Sequence, residues 1–176
     1  MAGIPADSIS THSDAWMIMD TVSPLNQGVL KYLSRGEKNR NSVVAAPGSL
    51  RDPYLCQGSH PDIVQRVWDE LGGVLPGKCR RLVYGTPSLV HNRSGIVIAI
   101  CNGTQYNLRL TADDFREAIA KGATTRTRWS GGEEMDSLAV LGTDWIFGGW
   151  FKEEERWCRD TYEEHGSANN GVVCTR

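Results

Sequence analysis

The sequence predicts an α+β fold, with an antiparallel sheet of four to six strands and helices packed mainly on one face. The first observation is an apolar, largely β-branched run at 96–101, followed by Asn102-Gly103 and an alternating stretch at 104–110. An Asn-Gly pair between two such runs is typical of a β-hairpin, because a type I′ turn needs positive φ at both central residues. The second observation is helical spacing of apolar residues at 61–71, 112–121 and 151–165.

Length and composition fit one soluble domain. The chain has 176 residues, 40% of them hydrophobic, and a net charge of −2, which suits a folded chain with a real core. Its apolar runs are too short for a membrane-spanning helix. Its N-terminus lacks the basic start and apolar centre of a secretory signal. We therefore expect a cytoplasmic protein with no membrane partner.

Cysteine usage indicates the same compartment. The five cysteines lie far apart and include no Cys-x-x-Cys pair, so they fit neither a disulfide framework nor a zinc site. Cys101 lies in a predicted strand and Cys158 in a predicted helix. Both are expected to be small buried hydrophobes in a reducing cytoplasm.

The chain divides into three predicted parts. Residues 1–58 form an N-terminal arm or subdomain packed on the main α+β domain at 59–166. Within the arm, Ser23-Pro24 supplies an N-cap and a first-turn proline for a helix. The end of the chain, 167–176, is small and polar and is expected to be a loose tail.

The main domain begins with the helix at 61–71. Ser59 or His60 caps it, and Gly72-Gly73 ends it. Its apolar residues recur at helical spacing, so one face of this helix is expected to enter the core.

The next segments are predicted strands that lead into the hairpin. A strand at 81–84 is expected to break at Thr86-Pro87. A strand at 89–91 then pairs with the one at 96–101 through the loop 92–95. The hairpin strand 96–101 therefore lies inside the sheet.

The hairpin register sets which side chains share a face. With Asn102-Gly103 as a two-residue loop, cross-strand partners place Val97, Ala99, Tyr106 and Leu108 on one apolar surface. We expect this surface to face the core.

The other face of strand 104–110 carries Asn107 and Arg109 beside isoleucines of its neighbour. One explanation is that this strand lies at the edge of the sheet, with its polar face in water. The alternative is that Asn107 and Arg109 line a groove beside a buried isoleucine face.

The rest of the domain reads as a helix, an exposed segment and a final helix. Thr111 caps the helix at 112–121. The segment 124–129 alternates as an exposed strand does, and 131–136 reads as an acidic turn. The last helix is expected to end at Gly166.

No catalytic signature is present: the sequence contains no GxSxG, HExxH or GxxxxGK motif. A nucleophilic pair of Cys101 and His91 is the alternative, although buried cysteines are usually inert. Acidic residues flanked by glycine usually serve as solvated turn residues rather than metal ligands; here they are Glu133, Glu134, Asp136 and Asp144. We expect no catalytic residue, no metal and no cofactor.

Tryptophan is unusually dense near the C-terminal end. Trp129, Trp145, Trp150 and Trp157 lie close together in the chain, and Gly148-Gly149 precedes Trp150. Such rings either pack the sheet or, with arginines nearby, form a protein-binding face. Nucleic-acid binding is a third reading, and the negative net charge disfavours it; it would use Arg80, Arg81, Arg126 and Arg128.

A short motif and the order of elements match a known pattern. The matching pieces are Arg80-Arg81-Leu82-Val83-Tyr84-Gly85, the strands through Leu110, and the helix from Phe151 to Gly166. In this respect residues 61–166 resemble TfoX-type N-terminal domains, in which an Arg-Arg-x-x-Phe-Gly strand follows a helix. The resemblance implies an antiparallel α+β fold and a regulatory or adaptor role rather than catalysis.

These observations predict a non-enzymatic bacterial cytoplasmic domain that binds another protein. The predicted binding residues are Asn107, Arg109, Asp144, Trp145 and Trp150, because an arginine among aromatic rings is typical of interfaces. The alternative is a small enzyme, such as a hydrolase, with its site in the groove beside Asn107 and Arg109.

Overall fold

The structure is a computed structural model that describes residues 19–34, 43–45, 59–76, 79–128 and 132–174, with backbone alone for 43–45 and 167–174. Its strands are β1 (Val43–Ala45), β2 (Arg80–Val83), β3 (Thr86–Val90), β4 (Val97–Asn102), β5 (Gln105–Arg109), β6 (Arg126–Arg128), β7 (Glu134–Asp136) and β8 (Trp145–Phe147). Six of them form an antiparallel sheet in the order β1-β2-β3-β4-β5-β8, and β6 and β7 form a separate hairpin. The predicted fold class is confirmed.

The helices of the described chain are α1 (Gln27–Ser34), α2 (Pro61–Gln65), α3 (Ala112–Ala120), α4 (Ser137–Val140) and α5 (Glu154–Cys174). A 3₁₀ turn, Pro24–Asn26, precedes α1. After α2 the chain continues as π-helical turns at Arg66–Leu71 and a 3₁₀ turn at Gly72–Val74. The predicted helix at 61–71 is therefore present, with wider turns in its second half.

The predicted helix starts are confirmed by side-chain caps. Ser23, His60 and Thr111 each accept a hydrogen bond from a first-turn backbone N–H, at 3.2, 3.1 and 3.1 Å. The predicted end of the last helix at Gly166 is wrong, because the backbone of α5 continues to Cys174. A glycine costs a helix about 1 kcal/mol and does not by itself end it.

Each face of the sheet packs against different elements. The 61–74 helical segment, α3 and α5 cover one face, the helix-covered face, where Trp68 and Trp157 are fully buried. The opposite face packs against α1 and the segment from β7 to α4, around Val29, Leu141 and Trp145. Most helical residues that the structure describes therefore pack on one face of the sheet, as predicted.

The hairpin between β4 and β5 is present, but its two-residue loop lies one position later in the chain than predicted. Asn102 pairs with Gln105, so the loop begins at Gly103, which has a φ of 67°. Asn102 stays in the strand because its buried amide accepts from the Tyr32 hydroxyl at 2.8 Å and donates to Asn107 at 3.0 Å. These bonds outweigh the local turn preference of Asn-Gly.

A β-bulge places Val97 on the face of the sheet opposite to the predicted one. Leu89 pairs with Ala99 and Val90 with Val97, so Ile98 is the extra residue between two pairs. Val97 consequently packs on the opposite face, whereas Ala99 belongs to the helix-covered face. The prediction of one surface that includes both Val97 and Ala99 is wrong.

The expectation that the second hairpin strand lies at the sheet edge is also wrong. β8 pairs with the outer side of β5, with Asn107 opposite Phe147 and Arg109 opposite Trp145. Because β8 covers this strand, Asn107 is fully buried and Arg109 is 5% exposed.

Two turns lie elsewhere than predicted. The chain reverses at Tyr84 and Gly85, whose φ values are 50° and 82°, and Thr86-Pro87 begins β3 instead of breaking a strand. The second half of the predicted acidic turn is β7 (Glu134–Asp136), which pairs with β6. Arg126 of β6 stabilises this pairing through ion pairs to the Glu134 and Asp136 carboxylates of β7.

Candidate functional site

The chain leaves β8 through a tight turn that presents Trp150 to solvent. Trp150 is 52% exposed, and it is the aromatic residue among the exposed large hydrophobic side chains of the described residues. Its φ of 61° lies in the left-handed region, which a residue with a bulky side chain adopts only when its surroundings impose it. The turn is therefore held in place by other contacts.

Gly148 allows this turn to lie directly on the ring of Tyr106. A Cβ at position 148 would come within 1.8 Å of Tyr106 Cε2, so a larger residue cannot occupy the position without moving the ring. The Gly148 N–H donates to the Tyr106 carbonyl at 2.7 Å. The turn and β5 are thus joined through both backbone and side-chain contact.

A buried carboxylate fixes the next two residues of the turn. Glu154 is 0% exposed and accepts from the Gly149 N–H at 2.8 Å, the Tyr106 hydroxyl at 2.6 Å and Arg66 at 2.8 Å. The Tyr106 hydroxyl in turn accepts from the Trp150 N–H at 2.9 Å. Two backbone N–H groups of the turn therefore end on one buried network.

Arg66 is the cation of this network. Its guanidinium bonds to the Tyr106 hydroxyl at 3.3 Å, to Glu70 at 2.6 Å and to the Phe151 carbonyl at 3.2 Å, besides Glu154. Burial alone would lower the pKa of Arg66, but its hydrogen bonds to Tyr106, Glu154 and Glu70 raise the pKa above its ordinary value. Arg66 therefore remains charged.

Tyr106 stays protonated and donates to Glu154. Burial, and then the charge of the Glu154 carboxylate, raise the pKa of the Tyr106 hydroxyl well above its ordinary value. A protonated phenol can give its one proton to Glu154 and accept from Arg66 and Trp150. The network therefore satisfies each of its members.

Arg66 begins the π-helical turns at Arg66–Leu71. Such turns are rare and frequently occur at functional sites. Here Arg66 and Glu70, four residues apart, form an ion pair within them.

The Trp150 ring lies on this network. The Arg66 guanidinium carbon is 4.9 Å from the centre of the indole, and Tyr106 meets the ring edge-on at 5.8 Å and 88°. One face of the indole thus rests on a cation and one edge on a phenol. We call the side chains of Arg66, Glu70, Tyr106, Trp150 and Glu154 the Trp150 site.

The other predicted binding residues meet on the opposite face of the sheet. The Arg109 guanidinium lies 4.8 Å from the centre of the Trp145 ring. Burial lowers the pKa of Arg109 to about 10, and the nearby charge of Asp144 opposes this shift. The sequence prediction therefore combined residues that the structure separates: Arg109, Asp144 and Trp145 lie together, and Trp150 lies away from them.

The hydrogen bonds of Arg109 and Asn107 go to the protein itself. Arg109 donates to the carbonyls of Val97 at 2.7 Å and Leu25 at 3.0 Å. Asn107 accepts from Asn102 and donates to the Ile146 carbonyl at 3.3 Å. Their bonds join β5 to neighbouring elements and give a substrate no access to these side chains.

Two further features were sought among the described residues: a metal-binding cluster and a helix able to span a membrane. In the part of the chain that the structure describes, no three His, Cys, Asp or Glu side chains are grouped so that they could hold a metal ion. Nor does any helix among these residues have the length and apolar character needed to cross a membrane.

The arginines considered for nucleic-acid binding include two that are paired with carboxylates. Arg80 lies 3.3 Å from Asp69, and Arg126 lies 2.7 Å from Glu134. Paired cations are less available to phosphates. Trp129, which was predicted near them, lies outside the described residues.

A shallow groove of about 360 Å³ lies between the 3₁₀ turn at Gly72–Val74 and α5. It is lined by Gly73, Val74, Leu75, Pro76, Arg159, Tyr162 and Glu163. Tyr162 already donates to Asn92 at 2.5 Å and stacks on His91. The groove does not include the Trp150 site.

Comparison of the chain with protein-family models, with curated proteins and with solved structures finds no match. The resemblance to TfoX-type domains stays a prediction. Functional inference therefore depends on the geometry of the site.

Proposed function

We propose that this chain is a non-enzymatic cytoplasmic domain that binds another protein, in a regulatory or adaptor role, and that Trp150 is its principal contact residue. The observation that carries the proposal is an exposed tryptophan in a left-handed backbone conformation, held there by a buried charged network. Tryptophan and arginine are the residues most enriched among interface hot spots. Strained backbone at non-glycine residues clusters at functional sites, although it also occurs in turns such as the one at Tyr84.

A structural role alone does not require this arrangement. Trp150 exposes half of its surface, so much of the favourable energy of burying an indole is lost. A smaller residue would fill the space over Arg66 and would leave less apolar surface in water. The exposed ring gains its full contribution when a partner covers it.

The remaining parts of the proposal rest on supporting observations. Cys79 and Cys158 are buried free cysteines, which favours a reducing compartment such as the cytoplasm. Asn107 and Arg109 are buried and bonded to the protein itself, so we do not retain the hydrolase alternative.

Protein capture from the native host tests the proposal. We expect the wild-type domain to retain a specific partner that Trp150→Gly fails to retain, with affinity lowered by about 2 kcal/mol or more, roughly 30-fold. Ile119→Ala is the matched control, because Ile119 is 42% exposed and lies on α3. Equal partner affinity of the wild type and Trp150→Gly would refute the proposed function.

A further inference from the structure

The inference that follows rests on the proposed function and concerns the chemistry of the partner. We infer that the Trp150 site binds an arginine or lysine side chain of the partner protein, whose cation contacts the exposed indole and the exposed Glu70 carboxylate. Three features of the site favour a cation: its shape, its charge and an acceptor oxygen of Glu70.

The shape of the site leaves one face of the ring available. Arg66 lies against one face at 4.9 Å from the ring centre, and Tyr106 touches an edge. Trp150 is nonetheless 52% exposed, and Arg66 covers only one face of its ring, which leaves the other face for a partner. That face is a flat, electron-rich surface of the kind on which guanidinium and ammonium groups stack.

The charge beneath the ring is negative overall. Arg66 carries one positive charge and contacts two carboxylates, those of Glu154 and Glu70. Glu154 is completely buried and neutralises Arg66 within the protein. The Glu70 side chain is 43% exposed and supplies the remaining negative charge at the surface.

Glu70 also keeps an acceptor for an outside donor. Its Oε1 bonds to Arg66 at 2.6 Å, and its Oε2 has no hydrogen bond within the described residues. The exposed Lys152 and Glu155, which follow Trp150 in the chain, carry opposite charges, and the next exposed cation, Arg156, is already paired with carboxylates of α3. An acidic partner group would be repelled by Glu70, and an aliphatic group would leave Oε2 without a donor.

Short peptides of defined charge test this inference. The full chain is labelled with 5-fluorotryptophan, and its ¹⁹F spectrum is recorded with acetyl-Gly-Gly-X-Gly-Gly-amide, where X is arginine, lysine, citrulline or glutamate. The resonance that Trp150→Gly removes belongs to Trp150. We expect the arginine and lysine peptides to shift this resonance and to bind at least about fivefold more tightly than the citrulline and glutamate peptides.

Charge variants provide the second part of the test. Glu70→Gln should weaken the arginine peptide by about fivefold, which is typical of losing one charge-assisted hydrogen bond at a surface. Glu155→Gln removes the same charge from an exposed glutamate that does not contact Arg66, and it should leave binding unchanged. Thermal unfolding of both variants checks that they fold as the wild type does.

The outcomes separate the two proposals. Equal binding of the arginine and citrulline peptides, preference for the glutamate peptide, or no loss with Glu70→Gln would overturn the inference about charge. If partner capture still depends on Trp150 in that case, the proposed function stands and only the partner chemistry is wrong. Partner capture that is independent of Trp150 would instead contradict the proposed function.

Discussion

Replacing Trp150 by alanine and by glycine tests whether its left-handed backbone is strained. At a φ of 61°, a residue with a Cβ costs about 1–2 kcal/mol, and glycine avoids this cost. The indole contributes about 0.5–1 kcal/mol through Arg66 and about 0.5–1.5 kcal/mol through Tyr106. Trp150→Ala loses these contacts and keeps the strain, so its unfolding free energy should fall by about 1–2.5 kcal/mol.

Trp150→Gly loses the same contacts but relieves the strain. Glycine also gives the unfolded chain more freedom, which costs about 0.4–1 kcal/mol. The net expectation is that Trp150→Gly is about 1 kcal/mol more stable than Trp150→Ala. Urea unfolding followed by circular dichroism measures both, provided the two variants share one m-value. An alanine variant as stable as the glycine variant, or more stable, would refute the argument that this backbone is strained.

Three further predictions concern packing, pH and thiol reactivity. Gly148→Ala should destabilise the domain by about 3 kcal/mol or more in the same urea assay, because its Cβ would overlap the Tyr106 ring; a loss under about 1 kcal/mol would contradict the close contact. Burial and the Asp160 carboxylate raise the pKa of Asp114 to about 7, against the opposing charge of Arg156. Wild-type stability is therefore greatest below about pH 4, where Asp114 is protonated in both states, and falls as the pH rises from about 4 through 7. Asp114→Asn should therefore gain about 1–3 kcal/mol relative to wild type between pH 5 and pH 8, and a parallel pH profile would refute this. Cys101 should react slowly with a thiol reagent in the folded protein, because it is 1% exposed; rapid labelling would support the nucleophile alternative.

Much of the fold could be predicted from local patterns. Side-chain caps, apolar spacing and the hairpin signal act over a few residues, so Ser23, His60 and Thr111 identified the helix starts. The hairpin loop was displaced because Asn102 bonds to Tyr32 and Asn107, and the contact to Tyr32 spans 70 residues of sequence. Local turn preference carries no information about such a contact.

The position of β5 inside the sheet had a similar cause. The segment Trp145–Phe147 is apolar, but nothing in its own residues shows which strand it joins. Once β8 pairs with β5, Arg109 lies against Trp145. The sequence analysis placed Arg109 and Trp145 in one predicted binding site. Their burial could not be inferred without knowing that β8 pairs with β5.

The Trp150 site was only partly visible in the sequence. Gly148-Gly149 precedes Trp150 in the sequence, and Trp150 was among the predicted binding residues. Arg66, Tyr106 and Glu154 were missed because each has an adequate local explanation, as a helix residue, a strand residue and a helix-start acid. Their joint role appears only when segments up to 88 residues apart come together.

Site-specific photocrosslinking tests most directly whether Trp150 contacts a partner. The full chain is produced in its native host with p-benzoylphenylalanine at position 150, and separately at the exposed position 119 as the control. On irradiation we expect one dominant crosslinked protein from position 150 and little or none from position 119. Abundant crosslinks at 119 with none at 150, or equal and unselective crosslinking at both, would contradict the assignment of Trp150 as the partner-binding residue.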